Sequence, residues 1–158
     1  MDEQMFLAEI TANKGIIIKV VNLYADDVED RKDLEQEIIY QSWKASSNFL
    51  GKSKFSTWLY RISLNVSLTH LSKRKKETNY KESHPFSEML EPEELSERTE
   101  KLYRAIRKLN EVDRGLIMLH LDGYDNPEIS EILGVTRNNV SVKLHRIKQQ
   151  LIDILNLQ

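Results

Sequence analysis

The chain has 158 residues and no cysteine, which excludes disulfide frameworks, thiolate catalysis and cysteine-ligated zinc. Its 23 lysines and arginines nearly balance 25 aspartates and glutamates, and a net charge of −2 argues against a protein that finds nucleic acid by bulk electrostatics. No apolar run approaches the roughly 18 residues of a membrane span, and the first ten residues are acidic. We therefore expect a soluble cytoplasmic protein without membrane insertion.

Apolar residues at helical spacing predict a first helix over 3–24, although Gly15 weakens its middle. Asp26 and Asp27 end this helix and can cap the next one, whose early acids complement the dipole at its N-terminus. The next helix runs towards a polar break around Gly51, where glycine supplies the backbone freedom that a turn needs.

The following helix is predicted to begin near Phe55, with Ser53 or Ser56 as its N-cap, and to end in the basic run 73–76. Two apolar stripes indicate burial on two sides: Phe55, Leu59, Ile62 and Val66 form one, and Leu64, Leu68 and Leu71 the other. Aromatic side chains can stack on unpaired bases. Phe55 is expected in the core, whereas Trp58 and Tyr60 are the better candidates for partial exposure.

Acidic residues outnumber basic ones between positions 77 and 92, and two prolines interrupt any helix there. This composition predicts a flexible acidic linker over 77–92, between a domain at 1–76 and a second helical domain at 93–158. In the second domain, Asn110 is predicted to cap a helix that ends at Gly123.

A helix-turn-helix is predicted in the last third of the chain. Asp125 is an N-cap candidate with Pro127 at the first helical position, Gly134 makes a turn, and Thr136 caps the final helix. A short helix, a glycine turn and a longer helix in this order match the DNA-binding motif.

The final helix has residue types that can read DNA on the side away from its core face. Val140, Leu144, Ile147 and Leu151 fall on the core face. Opposite lie Asn138, Val142, His145, Arg146 and Gln149, flanked by Arg137, Asn139, Ser141 and Lys143. Asn can pair with adenine, Arg with guanine, Val with a thymine methyl, and Lys or Ser with a phosphate. The alternative is an ordinary solvated face, but the preceding motif favours DNA contact.

Catalysis has little support in this sequence. The histidines, His70, His84, His120 and His145, are scattered without metal-pair spacing, and no glycine-rich phosphate loop is present. Glu35 and Glu37 lie on different faces of a helix. We expect neither an enzyme nor a cofactor nor a metal site.

Two blocks, in this order, resemble the bacterial RNA polymerase sigma factors of the extracytoplasmic-function group in the sigma-70 family. DLEQE at 33–37, followed by FSTWLYRISLN at 55–65 and the basic run, looks like the family's region 2. The segment 109–151, which contains EISEILGVTRNNVSVKLHRIK at 128–148, looks like region 4 with its helix-turn-helix. The resemblance covers nearly the whole chain and implies an all-α protein of two small helical domains.

The same resemblance implies a function: binding core RNA polymerase and directing promoter-specific transcription initiation. The docking residues on the clamp helices of the largest polymerase subunit would be Asp33, Gln36, Glu37 and Tyr40. The residues that open the promoter element nearest the start site would be Asn48, Lys52, Lys54, Trp58, Arg61 and Asn65. The adjacent DNA backbone would be held by Lys73, Arg74, Lys75 and Lys76, and the helix 137–149 would read the more distant promoter element. An anti-sigma factor is implied as a regulatory partner.

Some positions depart from the family pattern. Thr69 stands where the family often has aspartate, and Asn139, Ser141 and Val142 replace the usual Thr, Lys and Ser. Ile147 replaces a common alanine. Because Ser141 stands in place of a lysine, we expect a less basic recognition helix, and the replacements together predict a different promoter preference. The alternatives are a free-standing helix-turn-helix regulator, which usually binds DNA as a dimer, and a helical adaptor that binds acidic proteins.

Overall fold

The computed structural model describes residues 1–78 and 96–156, and over these ranges the chain is helical without a strand. The helices are α1 (Glu3–Ala12), α2 (Lys14–Tyr24), α3 (Val28–Ala45), α4 (Phe55–Thr78), α5 (Glu97–Arg107), α6 (Glu111–Leu121), α7 (Asn126–Leu133) and α8 (Arg137–Asn156). The all-α prediction is confirmed. Contacts divide the chain into two compact units, Met1–Pro92 and Glu93–Gln158, hereafter the N-terminal and C-terminal units.

The predicted linker lies outside the described residues from position 79 onwards, and its nature stays a prediction. Its first two residues, Glu77 and Thr78, belong to α4, so this helix continues past the predicted end of the first domain at residue 76.

The single helix predicted over 3–24 is wrong, because α1 and α2 meet at Asn13. The side-chain amide of Asn13 donates to the carbonyl oxygen of Glu9 at 2.8 Å, and its backbone N–H bonds to the carbonyls of Glu9 and Ile10. An asparagine that bonds to nearby carbonyls offers the backbone an alternative to helix continuation. The break therefore falls just before Gly15, which the sequence marked as the weak point.

The core of the N-terminal unit is made by α2 and α3 packing against α4. Asp27 caps α3 as predicted, accepting a hydrogen bond from the backbone N–H of Asp30 at 2.7 Å. The buried residues of α4 are Phe55, Leu59, Tyr60, Ser63, Leu64, Ser67 and Leu71. Ser63 and Ser67 have small side chains, so the neighbouring helices can pack closely against this face of α4.

Three expectations about α4 are corrected. Neither Ser53 nor Ser56 is the residue immediately before the helix; that residue is Lys54, whose carbonyl accepts from the N–H of Trp58 at 3.1 Å. Tyr60 is 1% exposed rather than partly open, because it lies one turn before the buried Leu64 on the same face. The predicted apolar stripes are also only partly buried, since Ile62, Val66 and Leu68 are half-exposed.

The local signals of the C-terminal unit are nearly all confirmed. Asn110 caps α6, accepting from the N–H of Asp113 at 3.0 Å, and Thr136 Oγ1 accepts from the N–H of Asn139 at 3.1 Å at the start of α8. Asp125 forms a capping box with Glu128 at the start of α7. One detail is wrong: Pro127 is the second residue of α7 rather than the first.

The turn between α7 and α8 is closed by hydrogen bonds at Ser130. Gly134 adopts the left-handed conformation at φ 70°, and its N–H and that of Val135 both bond to the Ser130 carbonyl. The Ser130 hydroxyl in turn donates to the carbonyl of Val135. The core of this unit includes the predicted face of α8, since Val140, Leu144, Ile147 and Leu151 are all buried.

Candidate functional site

The outer face of α8 carries the predicted DNA-reading residues in an accessible position. Lys143 is half-buried, and the exposed members are Arg137, Asn138, Asn139, Ser141, Val142, His145, Arg146 and Gln149. Val142 is 60% exposed, which is unusual for an apolar side chain and leaves its methyl groups open to contact. Contact with DNA at these positions stays a prediction. It requires side chains that are open to solvent, and eight of the nine are exposed.

Two polar contacts tie this face to the rest of the unit. The amide of Asn126 donates to the hydroxyl of Ser141 at 3.2 Å, which links the start of α7 to the first half of α8. The guanidinium Nη2 of Arg146 lies 3.8 Å from Oδ2 of Asp113 on α6. Asp113 was missed by sequence reasoning, because it looks like an ordinary acid in the first turn of a helix.

The outer face of α4 also brings predicted DNA residues together. Trp58, Arg61 and Asn65 follow one another at spacings of three and four residues, so they share a side of the helix. Arg61 and Asn65 are exposed, as are the loop residues Asn48, Lys52 and Lys54 that precede the helix. Gly51 turns this loop at φ 73°, a conformation that favours glycine.

Five aromatic rings form a cluster under this loop. Trp58 packs against Phe49 and Phe55 with ring centroids 5.1 and 5.2 Å apart, and Phe6 contacts Phe55 at 6.5 Å and Trp43 at 5.2 Å. Trp58 is half-buried, so the cluster fixes one part of the indole and leaves another part accessible. Trp43, which is 41% exposed, was not singled out from the sequence.

The basic run 73–76 is not uniform. Lys73, Lys75 and Lys76 are exposed, whereas Arg74 Nη1 bonds to Oδ1 of Asp30 at 2.9 Å. His70 Nε2 lies 3.0 Å from the same oxygen. The three residues make a hydrogen-bonded cluster between α3 and α4, here called the Asp30 clasp, around a carboxylate that is 5% exposed. Arg74 therefore binds within its own unit, a contact that the sequence pattern did not indicate.

The Asp30 clasp determines the pKa of its carboxyl group. Burial of Asp30 acts to raise this pKa, but the hydrogen bond from His70 and the positive charge of Arg74 outweigh it. The net result is a pKa below the usual value, so the carboxylate is ionised throughout the neutral range.

The four predicted polymerase-docking residues form one exposed stripe on α3. Asp33, Gln36, Glu37 and Tyr40 are spaced by three, one and three residues and are all open to solvent. Gln41 donates to a Glu37 oxygen at 2.8 Å, and the ammonium of Lys44 lies 5.3 Å from the centre of the Tyr40 ring. The docking itself stays a prediction.

An apolar groove of about 410 Å³ runs alongside this stripe, between α1 and α3. Its lining is Glu3, Phe6, Leu7, Gln36, Ile39, Tyr40 and Trp43. Leu7, Tyr40 and Trp43 are 51%, 55% and 41% exposed. Large apolar side chains left open beside a charged stripe are typical of a surface that a partner covers.

Two further side chains have pKa values that their surroundings shift. Burial lowers the pKa of His120, as does the nearby charge of Lys148, and burial together with Asp122 raises the pKa of Tyr103. Over residues 1–78 and 96–156, no cluster of three or more His, Cys, Asp or Glu side chains could hold a metal ion. No helix in the same ranges is long and apolar enough to cross a membrane. His84 lies outside the described residues.

Two family models match the chain in the order expected from its sequence. Sigma-70 region 2 matches residues 10–77, and Sigma-70, region 4 matches residues 99–151. The chain belongs to the sigma-70 family. The first match covers α3, α4 and their loop, and the second covers the helix-turn-helix. The DNA-reading and polymerase-docking stripes therefore lie within the matched regions.

Curated relatives place this sigma factor in the extracytoplasmic-function (ECF) group. The ECF RNA polymerase sigma factor SigW of Bacillus subtilis is 26% identical over 165 aligned positions, which cover 95% of this chain and 88% of SigW. The ECF RNA polymerase sigma-E factor of Escherichia coli K12 is also 26% identical over 165 positions, with coverage of 95% and 86%.

Solved structures of sigma factors share the fold. The sigma factor RpoE of Bartonella quintana, co-crystallised with the anti-sigma factor NepR, aligns with a TM-score of 0.74 at 19% identity over 99% of this chain and 97% of that one. CnrH, in complex with the cytosolic domain of CnrY, aligns with a TM-score of 0.72 at 18% identity over 99% and 91%. The fold is that of a sigma factor, and promoter-specific transcription initiation with RNA polymerase follows from the family.

Proposed function

We propose that this sigma factor divides its work between its two units, with α3 docking on core RNA polymerase, α4 opening the promoter and α8 reading the distant promoter element. The observation that carries the proposal is the α3 stripe of Asp33, Gln36, Glu37 and Tyr40, open to solvent beside an apolar groove. The protein acts in the cytoplasm as a regulatory subunit without catalytic activity of its own.

Polymerase docking combines two contributions at this surface. The apolar groove supplies burial of surface at roughly 25 cal/mol per Å², and the acidic side chains of Asp33 and Glu37 select a basic partner and orient it. Gln36 and Tyr40 line the groove and belong to the stripe, so they join the two parts. We propose that this surface meets the clamp helices of the largest polymerase subunit.

Promoter opening is assigned to the loop 48–54 and the outer face of α4. An unpaired base leaves the stack at a cost of a few kcal/mol, which stacking and an enclosing loop must offset. Trp58 offers a half-buried indole that packs against Phe49 and Phe55. The nearby ammonium groups of Lys52 and Lys54, together with Lys73, Lys75 and Lys76 further along α4, hold the DNA backbone.

The charge of the whole chain fits this division of labour. A net charge of −2 gives weak attraction to DNA, so the free protein depends on polymerase to bring it to promoters. A free-standing helix-turn-helix regulator would need neither a region 2 nor the α3 stripe, and the match to Sigma-70 region 2 at residues 10–77 therefore disfavours that alternative.

An anti-sigma factor is the regulatory partner that we propose. RpoE was co-crystallised with the anti-sigma factor NepR, and the structure of CnrH is of its complex with the cytosolic domain of CnrY. The apolar groove beside α3 is the surface whose occupation would block polymerase docking.

The test is co-elution with core RNA polymerase from the host bacterium, with single charge reversals on α3. We expect the wild-type chain to form a stoichiometric complex, and Asp33→Lys or Glu37→Lys to weaken it about tenfold, because each places a cation where a basic partner docks. Asp153→Lys is the matched control: it reverses an equally exposed helical acid in the other unit and should bind like the wild type. Unchanged affinity of both α3 variants would refute the docking surface.

A further inference from the structure

The carboxylate of Asp113 is the least expected charged group in the C-terminal unit. Asp113 is 2% exposed, and its Oδ1 has no hydrogen-bond partner among the described residues. Buried carboxylates are nearly always hydrogen-bonded or paired with a cation, because an ionised group without compensation costs several kcal/mol. A buried acid on α6 therefore needs an explanation.

Two sources of positive potential compensate this acid. Asp113 is the third residue of α6, where the partial positive charge of the helix N-terminus favours an acid. The other source is Arg146, whose Nη2 lies 3.8 Å from Oδ2, within ion-pair distance but longer than a hydrogen bond. Asp113 therefore draws the guanidinium of a residue on α8 towards α6.

Arg146 lies on the predicted DNA-reading face of α8. The Arg146 side chain is 54% exposed, and it belongs to the same outer face as Asn138, Val142 and Gln149. A guanidinium carries five N–H donors in a fixed planar arrangement, and Asp113 approaches a single nitrogen of it. Nη2 is the guanidinium atom that faces Asp113, and more than half of the Arg146 side chain is open to solvent.

A tethered arginine binds better than a mobile one. An arginine side chain has many rotamers, and part of this rotamer entropy is lost when the side chain is fixed against a phosphate or a base edge. An acid that fixes the side chain beforehand removes part of this loss. Carboxylates that orient a metal-binding histidine act in the same way.

We infer that Asp113 is a positioning residue of the DNA-reading surface, whose buried carboxylate holds the guanidinium of Arg146 in the orientation in which its remaining N–H groups meet promoter DNA. This inference rests on the proposed function of α8. It assigns a part in promoter binding to a residue of α6 that does not itself touch DNA.

The test is a double-mutant cycle on promoter affinity, measured with holoenzyme assembled from core polymerase and the full chain. We expect Arg146→Ala to weaken promoter binding roughly 5- to 100-fold. Asp113→Asn should weaken it by about fivefold in the wild-type background and leave it unchanged in the Arg146→Ala background, because the acid acts through the arginine. Affinity for core polymerase should stay the same in all variants.

Two results would overturn the inference. If Asp113→Asn weakens binding by the same factor with and without Arg146, the acid serves the fold alone. If the substitution tightens promoter binding, Asp113 competes with DNA for the arginine instead of presenting it. Thermal unfolding of each variant gives its folded fraction, and each measured affinity is corrected for that fraction.

A second variant covers the case in which Asp113→Asn does not fold. Asp113→Glu keeps the charge and moves the carboxylate by one methylene, so its loss of affinity should again vanish in the Arg146→Ala background.

The failure of this inference is separable from that of the proposed function. If Arg146→Ala has no effect while Asn138→Ala weakens binding, Asp113 has no part in promoter binding and α8 still reads DNA. If neither has an effect, both ideas fall.

Discussion

Asn138 lies in the first turn of α8, on its outer face, and is exposed. Its amide can form a bidentate pair with the edge of an adenine, a contact worth about 1–3 kcal/mol of discrimination. We therefore expect Asn138→Ala to weaken promoter binding by the holoenzyme about tenfold and to relax base preference at one position. Asn156→Ala is the control, since Asn156 is an exposed asparagine at the far end of the same helix. Equal effects of the two substitutions on binding would contradict a reading role for Asn138.

The Asp30 clasp makes a prediction about acid stability. The pKa of Asp30 in the folded protein lies below the ordinary value of 3.8, so the ionised carboxylate stabilises the fold at neutral pH. This stabilisation is complete above about pH 5, weakens as the pH falls below that, and is gone once the pH is below the folded pKa. Asp30→Asn should lower the free energy of unfolding by about 2 kcal/mol at pH 7, and by less at pH 3.

Urea unfolding at the two pH values measures this difference. Asp33→Asn is the matched control, because Asp33 is an exposed aspartate one turn later on the same helix and should change stability by no more than about 0.5 kcal/mol. A constant difference between Asp30→Asn and the wild type across this pH range would show that the clasp does not depend on the charge of the carboxyl group.

Two glycines test how the helices begin and end. Gly134 ends α7 at φ 70°, where a side chain costs about 1–2 kcal/mol, so Gly134→Ala should destabilise the C-terminal unit by that amount.

Gly15 lies inside α2, exposed, with nothing within 4 Å of an added Cβ. Gly15→Ala should therefore stabilise the N-terminal unit by about 0.5–1 kcal/mol. Chemical denaturation gives both signs, and destabilisation by Gly15→Ala would contradict the assignment of this segment as helix.

At the level of helices, the sequence correctly predicted most of the helix caps and turns, which depend on residues close together in the chain. The caps at Asp27, Asn110 and Thr136 and the turn at Gly134 involve hydrogen bonds between residues three to five apart, and all of them are confirmed. The division of α8 into a buried and an exposed face was also predicted correctly, because a single long helix has an unambiguous period.

What the sequence did not predict depends on contacts between distant segments. The bond from Arg74 to Asp30 and the ion pair of Arg146 with Asp113 join residues that are 44 and 33 positions apart and lie on different helices, and periodicity within one helix contains no signal for them. Tyr60 was a candidate for partial exposure, and its burial was missed because it depends on how α2 and α3 pack against α4. The break at Asn13 was missed because a helix pattern continues on both sides of it.

The whole molecule should unfold in two steps, because each unit has its own buried core. Leu59 in the N-terminal unit and Leu116 in the C-terminal unit are both 0% exposed, and replacing either by alanine should cost about 2–5 kcal/mol. We expect Leu59→Ala to lower the midpoint of one thermal transition and Leu116→Ala that of the other, as measured by calorimetry. A single transition that both substitutions shift equally would show that the units unfold as one.

The aromatic cluster has a practical consequence. The chain contains two tryptophans, Trp43 and Trp58, and both belong to the cluster in the N-terminal unit. Intrinsic tryptophan fluorescence is therefore a label-free optical probe of this unit alone. Covering of the groove at Trp43 by a protein, or stacking of an unpaired base on Trp58, should change the emission wavelength or its quenching by iodide. Duplex DNA bound only at α8 should leave the same signal unchanged, so the emission of the free chain distinguishes ligands of the N-terminal unit from DNA at α8.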